Sequence, residues 1–446
     1  MTTSVPVDLP LDLGDGLVLR RATTADAEAL AKFNARLHGE DEGALVQQAL
    51  EAWTRDLASG AHPTFAPGDF TVVEDTRAGR IASSLNLISQ TWTYAGLPFG
   101  VGRPELVATD PAYRNRGLVR KQFEIIHAWS AARGELVQAI TGIPWYYRQF
   151  GYEMGLWLGG ARLGYAPHVP KLPEGEAEPY VIRPATAADL PLWRELYAQA
   201  SRRDLAACVW DEALWRYELT GKSPLNINRR ELRVIETAAG EPVGVLALPV
   251  MLWGAGLACT FYELKAGLSW LAVTPSVIRY LWSTGQTYAA REAKPLDAFV
   301  FDLGVEHPAY RAAADHLRHE WKPYAWYVRV PDVAGFLRHI TPVLEARLAA
   351  SLAPGYTGEL SLSFYRSGVR LSFEQGRLSV EAWQPQSKAH RDASFPDLTF
   401  LHLLFGHRSL DELEQVYRDC SVGSEKTRLL LDSLFPKQVS HVWPVS

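Results

Sequence analysis

The segment with the most chemistry in it is Val107-Ala108-Thr109-Asp110-Pro111-Ala112-Tyr113-Arg114-Asn115-Arg116-Gly117-Leu118-Val119-Arg120. An apolar strand ends there, a tight loop follows, and a helix begins at once. Glycine lets the backbone approach a ligand closely. The first turn of a helix has unpaired N–H groups with the positive end of the helix dipole behind them, an arrangement that holds phosphate. Arg114, Arg116 and Arg120 add positive charge. A basic surface loop ahead of a helix gives the same string, so the residues alone leave both readings open. Further along, Pro144-Trp145-Tyr146-Tyr147-Arg148-Gln149-Phe150-Gly151-Tyr152-Glu153 supplies phenols. A phenol, with a reference pKa of about 10, suits proton donation to a leaving thiolate of about 8.5.

Elements that position these residues follow from the pattern. The spacing predicts strands over 17–21, 70–74, 81–93, 105–109 and 136–141, and helices over 24–37, 43–58 and 118–133. Meandering strands followed by strand-helix-strand suit a mixed α/β sheet. Part of this unit recurs. Arg20-Arg21-Ala22-Thr23-Thr24-Ala25-Asp26 reappears as Arg183-Pro184-Ala185-Thr186-Ala187-Ala188-Asp189, each after a short apolar strand and before an amphipathic helix. Its Thr-x-x-Asp spacing suits a helix start. Leu106–Pro111 also resembles Leu271–Pro275, which predicts a strand there. We read two tandem α/β units, 1–166 and 178–331, joined by the proline-rich linker Tyr165–Pro179. The remainder, 334–446, opens on a helix over 333–351. It continues with period-two runs and further helices, the pattern of an α+β domain with a curved antiparallel sheet.

The chain has 446 residues, net charge -5 and 47% hydrophobic content, which excludes a disordered chain and argues against a dedicated nucleic-acid binder. Three separated cysteines give neither a disulfide framework nor a zinc pattern, and no metal is expected. No apolar run is long enough to span a membrane, and the first residues lack a secretory signal, so we expect a cytoplasmic protein without a membrane partner. Gly221-Lys222-Ser223 lacks the first glycine of a phosphate loop. His316 and His319 read as a solvated helix face.

Arg114-x-x-Gly117-x-Val119 resembles the coenzyme A pyrophosphate loop of GNAT acetyltransferases, Gln/Arg-x-x-Gly-x-Gly/Ala, with Val119 where small residues are commoner. Tyr147-x-x-Phe150-Gly151-Tyr152 resembles the end of the same unit. Two such units followed by a domain similar to sterol carrier proteins is the layout of the Eis (enhanced intracellular survival) type N-acetyltransferases. Val369–Val380, Leu403–Leu410 and Leu431–Pro436 carry the third-domain likeness.

That resemblance implies an enzyme using acetyl-CoA and an amine acceptor, homo-oligomeric and in that family commonly hexameric. Val107, Ala108 and Thr109 would hold the pantetheine arm, and Arg114, Asn115, Arg116, Gly117, Leu118, Val119 and Arg120 the pyrophosphate. Ile143 and Pro144 would lie at the thioester. Tyr147 would be the general acid, with Tyr146 the alternative, and the C-terminal carboxylate of Ser446 the general base. Glu40, Asp41 and Glu42, in the loop after the first helix, would attract the amine; a solvated acidic loop is the plainer reading. The second unit lacks the glycine loop after Pro275 and would be non-catalytic, with Tyr310 an echo of Tyr147. The rival reading is a non-catalytic acyl-CoA or lipid binder that uses the third domain.

Overall fold

The computed structural model describes residues 8–385 and 391–446. A nine-stranded mixed sheet forms the first half. Its centre is a long hairpin, Arg80–Tyr94 and Leu97–Thr109, paired antiparallel along its length. The hairpin turns on two residues, Ala95 and Gly96, both with positive φ (48° and 86°). That is the turn whose twist matches the strands, here at the cost of one non-glycine left-handed residue. Near its far end the second strand bulges. Leu106 takes φ 52°, and Leu106 and Val107 together face Leu85, between the pairs Asn86–Glu105 and Ser84–Ala108.

The helix Leu118–Ala132 packs on this sheet through Leu118, Gln122, Phe123, Ile125 and Ile126. Gly134, at φ 71°, ends it with a backbone bond to Ala131. The helices Ala27–His38 and Ala44–Ala58 cover the opposite face, where Leu30, Phe33, Leu50 and Trp53 bury against Ile88, Leu106 and Ala108.

The internal repeat is visible atom by atom. Arg20 grips both carboxylate oxygens of Asp26 (2.7 and 3.0 Å) and reaches Glu74, while Asp26 accepts from the Thr23 amide. Arg183 grips Asp189 (2.8 Å twice) and reaches Glu236, while Asp189 accepts from the Thr186 amide. The other half of the sequence repeat does not hold. Leu271–Pro275 is no strand; it lies inside the helix Trp270–Glu292, whose start is capped by Ser269. Pro275 lies past the first turn of that helix, inside it, so the Thr-Pro likeness misled. The strand that precedes the helix is Phe261–Leu264.

The two halves exchange strands. Tyr324–Arg329 comes after the second unit, yet it lies in the first sheet between Val137–Ile140 and Glu153–Leu158. Ala161–Tyr165 of the first half lies in a second-unit sheet between Ala298–Phe301 and His319–Trp321. Strands from both sides of the segment 166–178 therefore share sheets.

From 333 onward the fold is α+β. The helix expected over 333–351 is two, Val333–His339 and Thr341–Ala349, because Pro342 cannot continue the first one. They pack on a five-stranded sheet built from Gly358–Ser363, Gly368–Glu374, Arg377–Trp383, Ala393–Ser394 and Ser421–Val422. One apolar cluster ties this part to both units, from Trp92 and Trp326 through Trp193 and Trp215 to Leu404 and Trp443.

A fragment of residues 1–170 removes the strand between Val137–Ile140 and Glu153–Leu158. Circular dichroism melting of that fragment should show no cooperative transition, whereas the full chain should show one.

Candidate active site

Leu97–Thr109 and Val137–Ile140 run parallel and pair at Val101–Val137 and Gly102–Gln138. Beyond those pairs they diverge, and a cleft of about 830 Å³ opens between Glu105–Thr109 on one side and Ile140–Ile143 on the other. The bulge at Leu106 turns the backbone of the first wall toward this opening.

One end of the cleft is the glycine loop. Asp110 starts it, accepting from the Ala112 amide (3.0 Å) and pairing with Arg36 (2.8 Å). Asn115 and Gly117 both adopt left-handed backbone, φ 64° and 73°. A Cβ at Gly117 meets nothing within 4 Å, so conformation and not crowding selects glycine there. The amides of Leu118, Val119 and Arg120 open the helix and find no acceptor among the described residues. Arg120 is fixed by Gln149 (3.0 Å) over the Phe150 ring, and Arg116 lies over Tyr113. Unpaired amides ringed by guanidinium groups suit a diphosphate.

The other end holds Tyr147. A short helical turn, Tyr146–Phe150, starts after Trp145 (φ 64°) and ends at Gly151 (φ 84°). Tyr147 is buried, with its ring edge-on to Tyr327 at 5.4 Å. Its phenol lies against Gly142, where any Cβ falls 3.1 Å from the ring and 3.3 Å from the hydroxyl. Among the described residues its hydroxyl has no hydrogen-bond partner, and the residue lines the cleft. Burial pushes the phenol far above its ordinary value, with Glu105 adding to the rise, so it keeps its proton throughout the neutral range. Tyr146 is also raised by burial but has Arg120 beside it, at the glycine-loop end. The two rings lie edge-on to each other at 5.1 Å.

Of the residues expected from the sequence, Val107, Ala108, Thr109, Arg114 through Arg120, Ile143, Tyr146 and Tyr147 line the cleft. Pro144 is exposed beside Ile143 at its mouth. Glu40, Asp41 and Glu42 are exposed and outside the lining; the nearby helix end contributes Leu37 and His38 instead.

Ser446 is buried but also outside the lining. The tail that carries it is clamped at every step. Trp210 donates to the Trp443 carbonyl (3.0 Å), Arg230 to that of Pro444 (2.9 Å), and Gln90 and Arg103 to that of Val445 (both 2.7 Å). Lys222, itself in a buried pair with Glu218, meets the Ser446 hydroxyl at 3.3 Å.

Three side chains in the site were missed. Glu105 lines the cleft and is ion-paired to Arg103, the same guanidinium that holds Val445. A lone carboxylate two residues before Val107 in an apolar strand was a readable signal. His38 faces it; burial pushes the imidazole down, opposed by Glu105 and the Leu106 carbonyl. Tyr327 arrives on the exchanged strand. Its hydroxyl accepts from the Trp145 amide (2.5 Å) and donates to the Ile143 carbonyl (3.0 Å), which fixes the loop at the cleft mouth.

Residues 19–155 match the family model described as acetyltransferase (GNAT) domain. Solved structures similar along nearly the whole chain include a probable N-acyltransferase of unknown function from Enterococcus faecalis V583. It has TM-score 0.66 and 13% identity, and the match covers 96% of this chain and 99% of that one. A GCN5-related N-acetyltransferase from Kribbella flavida has TM-score 0.61 and 19% identity, with 96% and 98% covered. Eis1 from Mycobacterium abscessus has TM-score 0.56 and 13% identity, with 95% and 98% covered. No curated protein matches the chain in sequence. At these identities the likeness establishes the fold: mixed α/β sheets of the acyl-CoA N-acyltransferase type with an α+β C-terminal part.

Valine at position 117 forces a β-branched residue into left-handed backbone, a strain of about 1–2 kcal/mol. Gly117→Val should therefore weaken coenzyme A binding about tenfold or more by calorimetry, with the melting temperature close to that of the parent.

Proposed function

We propose that this protein is an N-acetyltransferase that moves the acetyl group of acetyl-CoA to a primary amine in the cleft beside Gly117 and Tyr147. The observation that carries the reading is the pairing, in one opening between two diverging strands, of an acceptor-free ring of amides with a buried, partner-free phenol. The amide ring fits the diphosphate of a coenzyme A, because it offers donors without protein acceptors and open space at Gly117. Acetyl-CoA supplies the activated acyl carbon and a thiolate leaving group.

The chain's own residues do the rest. Backbone N–H groups at the Leu106 bulge donate toward the carbonyl oxygen as it gains charge, the largest single contribution such a site makes. Tyr147 gives its proton to the departing sulfur. A carboxylate takes the proton that the amine loses as its nitrogen bonds to carbon. On the geometry that carboxylate is Glu105, which faces the cleft. The α-carboxylate of Ser446, the base implied by the sequence resemblance, connects to it through Arg103 and the Val445 carbonyl. In this reading the tail is a positioning device. His38 and Leu37 form the amine side of the cleft, and Tyr327 holds the loop that closes it.

The second unit reads as a degenerate copy. Its chain has no glycine loop after Pro275, and Trp270 packs edge-on against Tyr262 (4.8 Å) and His307 (5.2 Å). Tyr310 spends its hydroxyl on backbone, meeting the Leu303 amide and the carbonyls of Phe301 and Gly304 within 3.0 Å. The domain after residue 333, read as sterol-carrier-like, serves here to deliver the tail.

Tyr147→Phe keeps the ring and removes the proton, so turnover in a thiol-release assay should fall about 10²-fold while coenzyme A affinity stays unchanged. Unchanged turnover would falsify the assignment.

Glu105→Gln and a chain extended beyond Ser446 separate the two carboxylates. We expect Glu105→Gln to lower kcat about 10²-fold or more. The extended chain should lose less and recover with rising amine concentration. The reverse order would assign the base to Ser446.

A further inference from the structure

The second unit has a cleft of its own, about 840 Å³, and nothing in the reading above uses it. It lies between the helix Leu190–Ser201, the strand Phe261–Leu264, the loop after Phe301 and the tail. Its walls are aromatic: Tyr197, Phe261, Tyr262 and Trp443, each largely buried and each present in the lining.

Asp204 sits in this lining, with the exposed Glu306 at its rim. Asp204 accepts from the His441 amide through Oδ1 (3.0 Å), while Oδ2 has no hydrogen-bond partner among the described residues. Two of the three arginines at the rim are already matched. Arg203 pairs with the buried Glu263 and Arg162 pairs with Glu320 (3.2 Å), while Arg311 is exposed on the helix Pro308–Ala312 with exposed Glu306 also in the lining. The two imidazoles of the cleft add no positive charge near pH 7. Burial pushes His307 down to about 3 and His441 to about 4. The same burial pushes Asp204 up to about 7, with Arg203 opposing it, the state of a carboxyl that lacks a countercharge.

We infer that this second cleft is a binding site for an organic ammonium ion, with Asp204 as its countercharge and Tyr197 and Phe261 as its cation–π walls; the Trp443 ring already carries the Arg230 guanidinium at 4.0 Å. Aromatic faces around a carboxylate are the arrangement that selects a cation carried on an apolar body. A desolvated carboxylate discriminates against anions by leaving like charges together. The site does not depend on acyl transfer in the first cleft.

Calorimetry of the full chain with benzylamine, benzyl alcohol and benzoate tests it. Benzylamine should bind at least tenfold tighter than either of the others. Asp204→Asn retains the acceptor for the His441 amide and should weaken benzylamine at least tenfold. Ala314→Trp places bulk at an exposed rim position and should block binding. Glu105→Gln should leave it unchanged. Several results overturn the inference: no benzylamine binding, binding that survives both second-cleft variants, or tighter binding of benzoate. Loss in Glu105→Gln overturns it too, by moving the amine to the first cleft.

Discussion

The cleft exists because two parallel strands part company. Leu97–Thr109 and Val137–Ile140 share a short ladder and then separate, and a β-bulge at Leu106 turns freed backbone toward the gap. Unpaired backbone inside a protein is costly unless something satisfies it. Here a whole set of features keeps the gap from collapsing. The hairpin partner Arg80–Tyr94 holds the first strand along its length. The exchanged strand Tyr324–Arg329 holds the second from its other side and ties the loop at Ile143 and Trp145 through one phenol. Gly142 makes room for Tyr147 at the point of divergence.

The second unit shows what happens under a different packing. The corresponding strand breaks into Gly256–Cys259 and Phe261–Leu264, which belong to different sheets. Trp270 packs edge-on against Tyr262 and His307 there. A cleft therefore opens in each half, one bounded by the glycine loop and the other by the tail. The tail from Val439 to Ser446 runs past both, with Trp443 in the wall of the second and Val445 held by the arginine that pairs with Glu105.

How much of this was legible depended on whether the signal was local. The Thr23–Asp26 and Thr186–Asp189 spacings encode their own hydrogen bonds, so both were readable and both form. Gly117 was readable because left-handed backbone leaves a mark on residue choice. Tyr147 stood out because the turn around it carries a dense motif. By contrast Tyr327 is joined to its site by strand exchange, which no periodicity encodes. Leu271–Pro275 imitated a strand because its apolar run and Thr-Pro resemble Leu106–Pro111, although Pro275 sits inside a helix. The acidic loop Glu40–Glu42 was placed correctly after its helix. Its side chains nonetheless face solvent, since charges that reach water stay there. Glu105 was overlooked although a charged residue in a buried strand is costly enough to need a reason.

The exchange of strands also has a temporal side. A ribosome adds about 5–20 residues per second, so on the order of ten seconds or more passes between Val137–Ile140 and the arrival of Tyr324–Arg329. Through that interval the nascent sheet carries two raw edges, and such edges recruit strands from neighbouring chains. A chaperone that shields nascent chains, or a slow codon stretch in the right place, bears directly on the yield of this protein in the cell.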